Sequence, residues 1–169
     1  MSLTICRYSE SIDFLYSSNT FDTNDADVIA FLPRILLPHR INKIRNVQIL
    51  LSISLPPSYL PTNGRPVLTL LQQPEKIKQH NHYYKKQWNA IWKTLSEMEG
   101  LEILRVELTM HGRHDHLWEV EEFDCVQWLH RPRDISLLLP DTVARRMTGK
   151  IGMGNCTVKS SIEEDADQW

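Results

Sequence analysis

The residues best suited to chemistry are histidines, and five of the seven fall in two groups along the chain. One group is the segment His111–His116, which holds three histidines and an aspartate, and the other is His80 with His82. Imidazole and carboxylate groups bind zinc and other divalent metals. A metal-dependent hydrolase is therefore one hypothesis. Because no H-E-x-x-H or comparable spacing is present, we favour a solvated polar loop and predict no metal site and no cofactor.

Lysines interspersed with aromatic residues over residues 76–93 support a second hypothesis. The lysines that would contact nucleic acid are Lys76, Lys78, Lys85 and Lys86. Lysines neutralise phosphates, and aromatic rings such as those of Tyr83 and Tyr84 stack on bases. However, Trp88 and Trp92 fit a helical core stripe, and lysines at the start of a helix usually lie on a solvated face. Nucleic-acid binding is therefore kept as an alternative function.

The three cysteines, Cys6, Cys125 and Cys156, are widely separated and include no C-x-x-C pair. They predict neither a disulfide framework nor a cysteine zinc site, and they favour an intracellular location in cytoplasm or nucleus. Cys125 stands among apolar residues, where a thiol acts as a small hydrophobic group. No serine lies in a G-x-S-x-G motif. We therefore predict no catalytic residues and no enzyme activity.

Composition bounds the class of protein. The chain has 169 residues, enough for one domain, and its hydrophobic (41%) and charged (24%) fractions are those of a soluble globular protein. Lysine and arginine number 19 against 21 acidic residues, so the net charge is −2 and a general polyanion binder is not favoured. No stretch approaches the roughly 18 apolar residues of a membrane helix, so no membrane partner is predicted.

Helical and strand patterns alternate along the chain. A short strand is predicted at residues 20–22, and longer strands begin near Ile44, Leu101 and Asp134. Helices are predicted near residues 9–16, after a cap at Thr23 or Asn24, over residues 88–98 and over residues 118–129. This alternation predicts crossover connections and a mostly parallel small sheet. We expect an α/β fold of helix-strand units that resembles a leucine-rich repeat or an irregular solenoid.

The second of these helices is expected to bury one side, with a kink or split near Pro33. Its expected buried residues are Val28, Ile29, Phe31, Leu32, Ile35 and Leu36. After the third helix, Gly100 is expected to adopt the left-handed conformation that ends many helices. The core is predicted to contain Ile12, Leu15, Phe21, Ile29, Leu32, Val47, Ile49, Leu51, Trp88, Trp92, Leu95, Leu104, Val106, Leu108 and Leu138.

One domain accounts for most of the chain. Residues 1–148 are predicted to form a single α/β domain with a long proline-rich excursion at about 55–84, where apolar periodicity is lost. Residues 149–169 are predicted to be a flexible tail that contains glycines and ends in a cluster of acidic residues.

The chain opens with CRYSESI followed by FLYSSNTF, at residues 6–21, and further motifs follow at residues 31–49, 88–108 and 131–140. These segments, in this order, resemble a fungal domain of unknown function, of the DUF7730-like type, which is often associated with F-box-like proteins. The resemblance implies helix-strand units, and it transfers no catalytic residue to this sequence.

These observations together predict a non-enzymatic recognition domain whose partner is another protein. Such a domain requires an exposed apolar or aromatic patch. Nucleic-acid binding through residues 76–93 is the alternative, and a metal-dependent hydrolase built on the segment His111–His116 is a third hypothesis. Each predicts a different arrangement of side chains in space, namely an apolar patch, a cationic face or converging metal ligands.

Overall fold

The structure of the chain, a computed structural model, describes residues 11–54, 74–111, 120–148 and 154–161. Within these ranges, side chains are described for residues 11–52, 85–109, 123–148 and 154–161. The elements in chain order are α1 (residues 11–18), β1 (Thr20–Thr23), α2 (Ala26–Ile35), α3 (Pro38–Ile41), β2 (Asn46–Ser54), α4 (Pro74–Glu97), β3 (Ile103–His111), a 3-10 helix (Val120–Trp128), β4 (Asp134–Leu139), α5 (Asp141–Met147) and β5 (Cys156–Ser160).

The five strands form one parallel sheet in the order β1-β2-β3-β4-β5, so each strand pairs with the next strand along the chain. A parallel neighbour is reached only by a crossover connection, and helices stand between successive strands here. The α/β class and the parallel sheet predicted from the alternation of patterns are therefore confirmed. Right-handed crossovers that always advance in one direction bring their helices to one face of the sheet.

The core lies between that face and the helices. Its strand residues form rows across the sheet, namely Val47 with Leu104 and Ile135, Ile49 with Val106 and Leu137, and Leu51 with Leu108. These rows join Ile29 and Leu32 of α2 and the tryptophans of α4 in one buried cluster. Trp88 packs edge-on against both Trp92 and Phe123, with ring centroids 5.2 and 5.5 Å apart. The alternating apolar positions of β2 and β3 thus decide which face is covered.

The opposite face of the sheet is more polar. Gln48, Arg105 and Ser136 lie in register across it and are half-buried. Leu138, predicted as a core residue, is 2% exposed but lies on this opposite face, between Glu107 and Lys159 in the register. Its burial therefore arises outside the main core cluster.

Two regions contain more regular structure than their sequences indicate. Helix α4 begins at Pro74, so residues 74–84 of the predicted excursion are helical, while residues 55–73 lie outside the described residues. Proline is well tolerated in the first turn of a helix, and the lysines and histidines that follow it conceal the period. Strand β5 lies within the predicted tail. It was not predicted because half-buried and exposed residues alternate over most of this edge strand, which leaves only a faint apolar pattern in the sequence.

Three local predictions at the start of the chain also differ from the structure. Leu15, expected in the core, is 54% exposed. The N-cap of α2 is Asp25 and neither Thr23 nor Asn24, the two predicted caps, and its carboxylate accepts the Asp27 amide hydrogen at 2.9 Å. The helix continues through Pro33 and ends at Ile35, so this proline falls in the last turn rather than splitting the helix.

Gly100 has a different role from the one expected. Its backbone is not in the left-handed region, and what it requires is space, because a Cβ atom there would stand 2.0 Å from the carbonyl oxygen of Asn42. The two chain segments meet closely, since the Glu99 amide donates to Asn42 Oδ1 at 3.2 Å and the Glu102 amide donates to the Arg45 carbonyl at 2.8 Å. Gly100 therefore allows the segments that lead into β2 and β3 to pack together.

Charged residues line the amino-terminal edge of the central strands. Arg45, Glu102 and Arg133 each directly precede a strand, and the Glu102 carboxylate pairs with both arginines. The Arg133 guanidinium nitrogen is 3.7 Å from the carboxylate oxygen. Because the arginine side chains are more than half exposed, these pairs contribute little net stability.

Candidate functional site

Most of the exposed apolar side chains that the structure describes lie in one segment of the chain, residues 14–37. Among the side chains that the structure describes, the large exposed hydrophobic ones are Phe14, Leu15, Val28, Phe31, Ile35, Leu37, Leu50 and Trp128. All but the last two belong to α1, to α2 or to the short link after α2. Scattered exposed hydrophobic residues are normal on protein surfaces, whereas a group of them marks an interaction site.

Helix α2 carries the centre of this group. Val28, Phe31 and Ile35, which we call the α2 stripe, are three and four residues apart and therefore lie along one side of the helix. Their exposed fractions are 42%, 42% and 67%. The buried residues Ile29 and Leu32 lie on the adjoining side. The prediction that all of these residues are buried is thus wrong for the stripe.

The stripe faces away from the rest of the helical layer. Helix α2 packs against α4, and Ala26, on the side of α2 opposite Val28, is half-buried against the core. At 100° per residue, the apolar positions from Val28 to Leu36 span about 160°, wider than the roughly 100° a core-facing stripe needs. The sheet and α4 therefore cover one part of this apolar arc and leave the α2 stripe in contact with solvent.

Two opposite charges border the α2 stripe. Asp27 and Arg34 are both exposed and, being seven residues apart, lie on the same side of the helix. Asp27 Oδ1 accepts a hydrogen bond from Gln87 Nε2 at 2.8 Å, which holds the carboxylate in place. The Arg34 guanidinium lies over the Phe31 ring, 5.1 Å from its centroid. The apolar surface thus has an acidic end and a basic end.

The lysines proposed to contact nucleic acid all belong to α4. Lys85 and Lys86 are exposed, whereas Lys76 and Lys78 lie in the part of the helix whose side chains are not described. Trp88 and Trp92 are buried in the core, as predicted. The four lysines belong to one helix, and their contacts with nucleic acid remain predictions.

The predicted histidine site falls mostly outside the described side chains. His80 and His82 lie in α4, His111 is the last residue of β3, and residues 112–119 are outside the described ranges. Across the described residues, no group of three histidine, cysteine, aspartate or glutamate side chains could hold a metal ion. The described side chains therefore give no support to the metal hypothesis.

The described cysteines lie in different environments. Cys125 is buried among apolar residues, as expected of a small hydrophobic group, while Cys156 is half-buried in β5. Burial, together with the smaller effect of the nearby Asp134 carboxylate, raises the pKa of the Cys156 thiol from its ordinary value of 9.0 to about 11. The thiol is therefore protonated at neutral pH and a poor nucleophile.

The raised pKa of Cys156 predicts a loss of stability in alkaline solution. Between about pH 9 and about pH 11 the thiol ionises in the unfolded chain before it ionises in the folded one, so the free energy of unfolding falls as the pH rises. Urea unfolding at pH 8, 9 and 10 would measure this fall for the native chain and for Cys156→Ser, which removes the titrating group. Parallel pH profiles for the two proteins would contradict the assignment.

Comparisons with known proteins place the sequence in a family without a described function. The family model for a domain of unknown function, DUF7730, matches residues 2–161. Neither the curated proteins nor the solved structures contain a significant match. Of the helices in the described ranges, none has both the length and the apolar content that a membrane span requires. Because the match covers nearly the whole sequence, the chain belongs to the DUF7730 family of domains of unknown function.

Proposed function

We propose that this domain is a non-enzymatic recognition module that binds a protein partner through the α2 stripe. The observation that carries the proposal is the concentration of exposed apolar side chains on α1, α2 and the link that follows. Water contact with these side chains is unfavourable by about 25 cal/mol for each Å² of apolar surface, and a partner that covers them recovers this free energy.

The order of the strands supports a binding role over a catalytic one. In doubly wound α/β proteins, small ligands bind where the strand order reverses, because the chain leaves a crevice there. The described sheet runs from β1 to β5 without a reversal, so it does not contain this kind of crevice. A surface on the helical layer is then the stronger candidate for function.

The finer features of the proposal rest on the sequence and on the one-directional stacking. Successive helix-strand units that advance along one sheet support a leucine-rich-repeat-like or irregular solenoid relationship. The resemblance at residues 6–21 supports a fungal source and an association with F-box-like proteins. The three isolated cysteines support an intracellular location, in which thiols stay reduced.

Replacing Phe31 by serine tests the proposed surface. We expect Phe31→Ser to weaken binding of the partner about thirtyfold, because buried aromatic residues dominate protein interfaces. The partner would be identified by affinity capture and mass spectrometry, purified, and titrated against each variant by calorimetry. Trp128→Ser is the matched control, since Trp128 is 46% exposed, close to the 42% of Phe31, and lies outside the group at residues 14–37.

The outcomes of this experiment separate the hypotheses. Equal binding by Phe31→Ser and Trp128→Ser would contradict a role for the α2 stripe. Retention on heparin that falls with salt and is lost in Lys86→Ala would instead favour the nucleic-acid alternative.

A further inference from the structure

We propose that the partner of the α2 stripe is the same stripe on a second copy of this chain, packed antiparallel about a twofold axis near Phe31. This inference rests on the proposed function and identifies the partner of its surface. A symmetric dimer joins one surface patch to itself, so the patch must be complementary to its own copy after a half-turn. The α2 stripe meets this requirement in its apolar residues, and the charged residues beside it, Asp27 and Arg34, meet it as well.

The apolar positions are nearly symmetric about the centre of the helix. Val28 is three residues before Phe31, and Ile35 is four residues after it. An antiparallel helix pair therefore places Val28 beside the partner's Ile35 and sets the two Phe31 rings against each other. Aromatic residues at the centre of an interface contribute most of its binding energy. The Arg34 guanidinium over each ring already restricts the position of Phe31.

The charged residues beside the α2 stripe favour the antiparallel orientation of the two helices. Asp27 is four residues before Phe31 and Arg34 is three residues after it, on the same side of the helix. In the antiparallel pair each Asp27 lies near the partner's Arg34, which gives two ion pairs related by symmetry. A parallel pair would instead place the charged flanks of the two helices on opposite sides of the interface, so these ion pairs would not form. The carboxylate of Asp27 accepts at both oxygens, so its hydrogen bond from Gln87 is compatible with a second donor.

The size of the surface predicts a weak dimer. Stable interfaces bury about 800 Å² on each partner, and three partly exposed side chains supply less than this. Phe14, Leu15 and Leu37 are further exposed apolar residues in the neighbouring elements, α1 and the link after α2. A dissociation constant in the micromolar range or weaker is therefore expected, and dimer formation should depend on protein concentration.

Sedimentation equilibrium of the purified chain, from about 1 μM to about 1 mM, tests the dimer. We expect Asp27→Lys and Arg34→Glu each to raise the dissociation constant about tenfold, because each turns two attractive pairs into repulsive ones. The double variant restores opposite charges and should return to within about threefold of the native value. Lys86→Glu, which makes the same charge change as Arg34→Glu at an exposed position of α4, should leave dimerisation unchanged.

Circular dichroism and thermal unfolding show whether each variant folds. Asp27→Asn replaces Asp27→Lys if the lysine variant loses helix, since a cation in the first turn of a helix is unfavourable. A chain that stays monomeric at about 1 mM, or a double variant that dimerises no better than the single variants, would overturn the proposed dimer. A monomeric chain that still binds a different protein through Phe31 would overturn this inference alone and leave the proposed function standing.

Discussion

Replacing Gly100 by alanine is expected to lower the free energy of unfolding by about 3 kcal/mol or more. The added Cβ atom would lie 2.0 Å from the Asn42 carbonyl oxygen, 2.8 Å from its carbonyl carbon and 3.2 Å from the Ile44 carbonyl oxygen. All three are backbone atoms, so no side chain can rotate away to make room. The segments that lead into β2 and β3 must therefore move apart, which strains the hydrogen bonds between residues 99–103 and residues 42–45.

Urea unfolding followed by circular dichroism measures this effect, and the chain offers a matched control. A Cβ atom added at Gly154 would meet no atom within 4 Å, so Gly154→Ala should keep the native midpoint. Both substitutions add one methyl group to a glycine, and they differ only in the space that surrounds it. Similar midpoints for the two variants would contradict the close approach of the Asn42 and Ile44 backbone to Gly100.

Removal of the Trp92 side chain is expected to reduce stability by about 3–5 kcal/mol, the usual range for large aromatic residues in a core. Trp92 is fully buried and packs edge-on against Trp88, which in turn contacts Phe123 of the 3-10 helix. Trp92→Ala would leave a cavity between α4 and the sheet and remove one ring of this aromatic cluster. Because a typical domain has a total stability of about 5–15 kcal/mol, the variant should lose a large part of its free energy of unfolding.

A phenylalanine at the same position gives a sharper comparison. The buried indole Nε1 of Trp92 has no hydrogen-bond acceptor within the described part of the chain, and a buried donor left unsatisfied destabilises by about 1–3 kcal/mol. Trp92→Phe keeps most of the ring contacts and removes this donor, so it should be far less harmful than Trp92→Ala. Equal losses in the two variants, measured by thermal and urea unfolding, would argue that Nε1 has a partner in the folded protein.

The strands were predictable because their buried positions are occupied by apolar residues in a recognisable pattern. Apolar residues occupy alternate positions of β2 from Val47, and the short apolar segment that begins at Asp134 ends at a proline. The first half of α4 was not predictable, since its sequence is rich in lysine and histidine and carries little apolar period. Strand β5 was missed because it is short and half-exposed, and its neighbour β4 supplies most of its stabilising contacts.

The candidate site was not predicted because its residues follow the same helical spacing of apolar residues as the core. Val28, Phe31 and Ile35 satisfy the helical period as well as Ile29 and Leu32 do, and a sequence pattern does not distinguish apolar residues that face the core from those that face a partner. One signal was available, because the apolar arc of α2 is wider than one packed side requires. Which part of this arc is covered depends on the order of the strands and on the position of α4. Neither of these can be predicted from the sequence of α2.

The order of the sheet also has a consequence for how the chain folds. Each strand pairs with its successor, yet the pairs close very different lengths of chain, from Thr20 to Asn46 in the first pair and from Asn46 to Ile103 in the second. The entropy lost in closing a loop grows with its length, and distant pairings slow the search for the native state. The β2–β3 pair, which is both central and the most distant in sequence, is therefore expected to limit the folding rate, and the outer strands can then add to it as a template.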